Sequence, residues 1–185
     1  MKSLFKILFF SCYVTILVVF SIATSYLLPY PFSGINIILG ILILSILWKN
    51  NGIIVWISFF SYFTIELFSV TPFGIILFSG TMCILFSLWL YRHILNNRTW
   101  YVAIILTFFT LLIYYILYLL TISILQIFGV ITLIPWGLII INFLWELLFT
   151  SLFVVICYLI LWHFFHAFNA SVVESRVFKI NLPNN

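Results

Sequence analysis

The sequence predicts an all-α polytopic membrane protein with six transmembrane helices. Of its 185 residues, 66% are hydrophobic and only 5% are charged, whereas charged residues make up about a quarter of a soluble domain. The mean hydropathy is +1.38. Long apolar runs alternate with short polar or proline-containing breaks, and a helix needs about 20 apolar residues to cross a bilayer. A soluble core cannot bury this much apolar surface, so the lipid bilayer is the expected solvent.

The six predicted spans form a single transmembrane domain at residues 1–168, and a short cytoplasmic tail follows at residues 169–185. Pro29 and Pro31 close the first span, since proline does not continue a helix. A polar hairpin at residues 49–52 follows the second span. The predicted spans are residues 4–28, 32–48, 53–69, 72–94, 100–123 and 138–163.

The boundary between the third and fourth spans falls at Thr71 and Pro72. A threonine hydroxyl caps helix N-termini, and proline is favoured at the first helical position because its missing N–H would have no partner there. We therefore predict that the fourth helix starts at Pro72, with Thr71 as its N-cap.

Two segments allow alternative interpretations. Lys2 and Lys6 precede an apolar run as in a signal peptide, but the run is much longer than the about 7–15 residues typical of one, so we expect it to be retained as a span. Residues 124–137 form either an extra short span or an interfacial or re-entrant segment at the outer surface. The second interpretation is favoured, because an extra span would place Arg176 and Lys179 outside.

The positive charges predict that both termini lie in the cytoplasm. Cytoplasmic loops of membrane proteins carry an excess of Lys and Arg. With the N-terminus inside, all seven Lys and Arg residues fall on the cytoplasmic side, and the outer loops contain none. These residues are Lys2, Lys6, Lys49, Arg92, Arg98, Arg176 and Lys179.

Two acidic residues, Glu66 and Glu146, fall inside predicted spans. An ionised acid at the bilayer centre costs about 2.5–3.5 kcal/mol on insertion scales, so such residues usually face protein or water. Both lie in the outer half of the membrane, where the sequence supplies no Lys or Arg. Two interpretations stay open for each: a neutral, hydrogen-bonded acid that holds helices together, or an acid whose cation comes from a partner chain or ligand.

The sequence does not indicate an enzyme. It contains no H-E-x-x-H, G-x-S-x-G or Walker motif. No cofactor or metal is expected, since His93, His163 and His166 are more typical of interfacial side chains than of metal ligands. The scattered positive charges do not indicate a nucleic-acid surface. We expect packing roles for Tyr114, Tyr115 and Tyr118, and for the pairs Gly74–Thr81 and Gly80–Ser87, whose seven-residue spacing predicts two notches for close helix contact.

The middle of the chain resembles the MreD family of rod-shape-determining membrane proteins. That family typically has an acid one turn before a span end, then a small polar turn and a glycine, then a long apolar helix. Chain length and span number also agree, and the resemblance covers roughly residues 32–122. The matching residues are Glu66, Leu67, Phe68, Ser69, Thr71, Pro72, Phe73 and Gly74.

The resemblance implies a non-enzymatic scaffold in the elongation machinery of the bacterial cytoplasmic (inner) membrane. The implied partners are an MreC-like protein, an MreB-type filament and the elongation transpeptidase and glycosyltransferase pair. The expected partner-binding residues are Glu66, Ser69, Thr71, Pro72, Gly74 and Glu146.

The resemblance also suggests an alternative function. The MreD fold is similar to the six-helix substrate-binding S-components of energy-coupling-factor vitamin transporters. An outer-facing acidic pocket would then bind a cationic vitamin. The Ala-xxx-Ala signature of those subunits is absent from the first span, which has only Ser11-xxx-Thr15 and Ser21-xxx-Ser25.

Overall fold

The computed structural model describes the main chain of residues 2–49, 51–69, 71–95, 99–129 and 136–180, and the side chains of these residues except 2–9, 49, 136, 138 and 164–180. Within these ranges the chain is all-helical. A short 3₁₀ turn, Phe32–Gly34, precedes the second of six α-helices. The helices are α1 (Lys2–Leu27), α2 (Ile37–Lys49), α3 (Ile53–Leu67), α4 (Ile75–His93), α5 (Trp100–Ile127) and α6 (Trp136–Ile180).

Four of these helices, α1, α4, α5 and α6, are long and apolar enough to cross a membrane, which is compatible with a multi-pass membrane protein. The other two are short. The 13 residues of α2 and the 15 residues of α3 correspond to about 20 and 22 Å of helix. Both lengths fall below the hydrocarbon thickness of about 30 Å.

The short helix α2 forms the centre of the bundle. It contacts each of the other five helices. Leu39, Leu42, Ile43 and Ile46 on α2 are fully buried, because a helix that is apolar on all sides is stable only when it is surrounded by other helices. The predicted second span, 32–48, is therefore helical only from Ile37, and its first residues form the 3₁₀ turn and a connector.

The predicted start of the fourth helix is wrong. Helix α4 begins at Ile75, and its N-cap residue is Gly74, which has a φ of 104°. A left-handed conformation of this kind favours glycine. The chain therefore turns through Thr71 and Pro72 before the helix starts. Thr71 is not the N-cap, and Pro72 is not the first helical residue.

The other helix boundaries differ in smaller ways. Helix α3 ends at Leu67 rather than at residue 69, and α5 continues to Ile127, so residues 124–127 belong to α5. Gly129, with a φ of 72°, lies in the turn that follows α5. Residues 130–135 of the predicted re-entrant segment lie outside the described residues. Helix α6 continues through the predicted tail as far as Ile180.

The packing of α3, α4 and α5 depends on a small residue. The ring of Tyr62 on α3 lies against Gly80 on α4, where an added Cβ would approach the ring Cε2 to 2.6 Å. Two turns further along the same face of α4, the hydroxyl of Ser87 hydrogen-bonds that of Thr110 on α5 at 2.5 Å. The predicted notches are confirmed at Gly80 and Ser87. Gly74, in contrast, is a helix cap.

Helix α5 extends beyond the start of α4. The rings of Tyr62 and Tyr114 stack with their centroids 6.4 Å apart, which places Tyr114 of α5 level with Gly80. From there α5 continues for about 20 Å to Ile127, whereas α4 begins only about 8 Å away, at Ile75. The end of α5 at this side therefore extends about 12 Å beyond the start of α4.

Candidate functional site

The carboxylate of Glu66 caps the N-terminus of α4. Glu66 lies in the last turn of α3 and is only 3% exposed. Its Oε1 accepts hydrogen bonds from the backbone N–H groups of Gly74 at 2.8 Å and Ile76 at 3.0 Å, and its Oε2 accepts one from Leu77 at 3.3 Å. The first N–H groups of a helix have no partner within the helix and carry partial positive charge. The carboxylate satisfies three such donors within its own chain.

The α3–α4 turn has a polar interior and an apolar exterior. Inside, the hydroxyl of Ser69 donates to the main-chain oxygen of Glu66 at 3.0 Å and lies 2.9 Å from the hydroxyl of Thr71. Outside, Phe68 and Phe73 are 74% and 65% exposed. Because the Glu66 carboxylate and the hydroxyls of Ser69 and Thr71 are bonded within the turn, its exposed large side chains are apolar.

A second polar cluster surrounds Glu146 on α6. Its Oε1 accepts a hydrogen bond from Asn36 Nδ2 at 2.8 Å, and its Oε2 accepts a short one from the hydroxyl of Tyr115 on α5. The backbone N–H of Asn36 also donates to Thr150 Oγ1 at 3.0 Å, one turn along α6. The cluster thereby joins α5 and α6 to the start of α2.

Asn36 has two roles because it is the N-cap of α2. Its Oδ1 accepts a hydrogen bond from the backbone N–H of Leu39 at 3.1 Å, as an N-cap side chain does for the third helical residue. This bond fixes the orientation of the amide, so Nδ2 is the group that points at Glu146. The residue that starts the central helix thus also positions the carboxylate.

A cleft of about 260 Å³ opens beside Glu146. One wall is the non-helical segment before α2, and the other walls come from α5 and α6. Trp145 stacks on Phe149 with ring centroids 5.5 Å apart. The ring centroids of Phe149 and of Phe32 in the 3₁₀ turn are 4.8 Å apart. The lining residues are Tyr30, Pro31, Ser33, Gly34, Tyr115, Asn142, Trp145 and Glu146.

The residues predicted to bind partners fall into two groups. Glu66, Ser69, Thr71, Pro72 and Gly74 lie together at the α3–α4 turn, where Glu66 and Gly74 form the cap of α4. Glu146 belongs to the separate cluster, which shares no hydrogen bond with Glu66 among the described residues.

Sequence reasoning missed Asn36 and Tyr115 as site residues. Tyr115 was expected only to pack, and this prediction is incomplete because its hydroxyl donates to Glu146. An Asn directly before a long apolar run is a recognisable N-cap signal, which could have identified Asn36. Its contact with Glu146, 110 residues away, has no local sequence signal.

Comparisons of the chain with protein families, with curated proteins and with solved structures found no match. The four long apolar helices are compatible with a multi-pass membrane protein. Within that class, the molecule is distinguished by two buried or half-buried carboxylates, one on a helix cap and one beside a cleft.

Proposed function

We propose that this protein is a non-enzymatic scaffold of the bacterial cell-elongation machinery, located in the cytoplasmic membrane. The resemblance of residues 66–74 to the MreD family supports this proposal. The observation that carries it is the construction of that segment, which satisfies its polar groups internally and exposes aromatic side chains. A turn of this kind is suited to hold a partner rather than to perform chemistry.

The proposed partner contact is the apolar exterior of the α3–α4 turn. Leu67, Phe68 and Phe73 are 61%, 74% and 65% exposed, and Phe73 lies edge-on to Phe63 with centroids 6.1 Å apart. Exposed aromatic residues are over-represented among the side chains that dominate binding energy at interfaces. The membrane-spanning segment of an MreC-like protein is the partner that we expect to pack here.

The scaffold proposal is tested by replacing Phe68 and Phe73 together with alanine. We expect co-purification with the MreC-like partner to fall at least about tenfold, since interface hot spots contribute about 2 kcal/mol or more. Depletion of the protein should make rod-shaped cells round or wide, and the double variant should not restore their shape.

The matched control is the double variant Phe86→Ala and Phe109→Ala, which removes two exposed phenylalanines from other faces of α4 and α5. It should retain the partner and restore cell shape. Equal retention by both double variants would contradict the proposed contact. Normal shape in depleted cells would contradict the scaffold function itself.

The proposed topology has six spans with both termini in the cytoplasm. The distribution of Lys and Arg supports it, since all seven fall on one side in this arrangement. The short helices α2 and α3 then cross together with their non-helical connections. In this topology, the α3–α4 turn and the Glu146 cleft lie toward the outside of the cell.

Cysteine labelling tests this topology. After replacement of Cys12, Cys83 and Cys157, a cysteine at Ser33 should react with an impermeant maleimide added outside intact cells. A cysteine at Gly52, which has no atom near its Cβ position, should react only after permeabilisation. Labelling of Gly52→Cys from the outside would reverse the topology.

The alternative function, an S-component of a vitamin transporter, is favoured by the cleft beside Glu146. Such subunits bind their ligand in a preformed pocket. Nanomolar binding of a vitamin by the purified protein, measured by calorimetry, would replace the scaffold proposal with this one.

A further inference from the structure

The carboxylate of Glu146 is held by neutral donors. Its two hydrogen bonds come from an amide and a phenol, and the sequence contains no Lys or Arg between Arg98 and Arg176. A carboxylate has about four lone-pair sites, so two hydrogen bonds leave it able to accept more. Glu146 is also partly exposed, and it lines the cleft. A group that enters the cleft therefore reaches an acceptor with unused capacity.

The wall of the cleft formed by residues 29–36 is a second feature, independent of the hydrogen bonds of Glu146. This segment contains no α-helix, only the 3₁₀ turn Phe32–Gly34, at the level of Tyr115, which lies about 22 Å along α5 from Trp100. If α5 enters the hydrocarbon near Trp100, that level is still inside a core of about 30 Å. Irregular backbone at membrane depth is tolerated only where it is buried in protein or lines a water-filled cavity.

Three aromatic residues line the cleft together with the carboxylate of Glu146. Tyr30, Tyr115 and Trp145 all line the cleft, and Trp145 is supported from behind by Phe149. The negative faces of such rings attract organic cations, and aromatic cages are used to bind quaternary ammonium groups. The volume of about 260 Å³ lies below the range of about 300–1,000 Å³ that drug-sized ligands occupy. The cleft thus suits a small ligand.

We propose that this cleft binds a small organic ammonium ion, with Glu146 as its counter-ion and Tyr30, Tyr115 and Trp145 as its aromatic walls. Ser33 and Asn142 supply polar groups at the rim for a hydroxyl on the ligand. The site goes beyond the scaffold function and does not depend on it. It also differs from a vitamin site in the size of the ligand that it admits.

The experiment uses the full-length protein in a maltoside detergent, which carries no ammonium group. Choline and tetramethylammonium are titrated while tryptophan fluorescence and the melting temperature are recorded. The neutral control is 3,3-dimethyl-1-butanol, which has the shape of choline without its charge. We expect saturable fluorescence changes and a higher melting temperature with both cations, because a ligand stabilises the state that it binds. The alcohol should produce neither.

Two variants test the assigned residues. Glu146→Gln keeps an oxygen for Asn36 and removes the charge, and it should weaken choline binding at least about tenfold. Tyr30→Leu removes a ring that is 63% exposed, so folding should be unaffected, while affinity should fall about 3- to 30-fold. Trp56→Leu removes an equally exposed ring on α3, outside the cleft, and should bind choline like the wild type.

Three outcomes would overturn the proposal. The first is the absence of saturation by either cation up to about 100 mM, a weaker affinity than a specific site provides. The second is binding of the neutral alcohol as tight as that of choline, which would mark an apolar pocket. The third is unchanged choline affinity in Tyr30→Leu. This variant tests the site even if Glu146→Gln fails to fold. None of these results bears on cell shape or partner retention, which test the scaffold function.

Discussion

Replacement of Glu66 with glutamine is expected to destabilise the protein by about 1–3 kcal/mol, the cost of leaving a buried donor unsatisfied. The glutamine oxygen can still accept from Gly74 and Ile76, but the amide NH₂ would face the N–H of Leu77. The favourable interaction between a negative charge and the helix N-terminus is also lost. Glu66→Ala removes all three hydrogen bonds to the backbone N–H groups and should destabilise the protein further. Thermal unfolding in detergent measures both effects.

Ser69→Ala is the matched control within the same turn. It removes one hydrogen bond to the Glu66 main-chain oxygen and the contact with Thr71, so the loss should stay within about 1 kcal/mol. Hydrogen exchange should accelerate at Leu77 in Glu66→Gln and at Gly74, Ile76 and Leu77 in Glu66→Ala. Unchanged exchange and unchanged stability would mean that the carboxylate does not cap α4.

The sequence also allows Glu66 to pair with a Lys or Arg of a partner protein, and this stays a prediction. It predicts a different result for Glu66→Gln. In that case Glu66→Gln should lose the partner while its own stability is unchanged, because the stranded group is the partner's cation. A cap role predicts lost stability in the isolated protein. Measuring stability and co-purification on the same variant therefore separates the two roles.

Replacement of Gly80 with alanine is the second change with a large expected effect. The new Cβ would overlap the ring of Tyr62, which is 2% exposed and stacks on Tyr114, so the ring has no free space to move into. Overpacking of this kind typically destabilises by about 1–3 kcal/mol. Thermal unfolding of Gly80→Ala, Tyr62→Leu and the double variant forms a mutant cycle. The double variant should recover most of the loss, since the smaller side chain makes room.

Gly137→Ala is the control for the glycine-to-alanine change itself. Gly137 is also helical, but no atom lies within 4 Å of its Cβ position. Gly137 lies in the first turn of α6, where the preference for alanine over glycine, about 0.8–1 kcal/mol in a helix interior, applies only in part, so this variant should be neutral or slightly more stable. Destabilisation of equal size at Gly80 and Gly137 would contradict the proposed contact with Tyr62.

The sequence predicts much of the fold, because span-length hydropathy and proline breaks are local signals. Each of the six helices overlaps one predicted span, and the start of α3 at Ile53 agrees, although only four helices are long and apolar enough to cross a membrane. The length of α2 could not be predicted, since an apolar run does not reveal where a helix gives way to a buried connector. The start of α4 was misplaced because Thr71 and Pro72 form a good local cap signal, but the tertiary contact from Glu66 and the φ of Gly74 determine the actual cap.

The candidate site was less predictable than the fold. Both acidic residues were identified, because acids are rare in apolar runs. Their partners were not identified, since hydrogen bonds between residues such as Asn36 and Glu146 depend on how distant helices pack. The cleft follows from the same packing, so no linear pattern indicates it.

The short length of α3 has a consequence for the surrounding lipid. The side of α3 with exposed apolar residues carries Ile53, Trp56, Phe59, Phe60 and Leu67. In the proposed topology, lipid would meet about 22 Å of helix on this side, whereas α5 and α6 are longer than the full hydrocarbon thickness. Hydrophobic mismatch of this kind thins the adjacent bilayer, at a cost of fractions of a kcal/mol per Å. The ring of lipid around the protein would therefore be thin on the α3 side and thick on the opposite side. A neighbouring protein with a similarly short edge would relieve this deformation by sharing it, so in the proposed topology the membrane itself would favour assembly at the rim that carries Phe68 and Phe73.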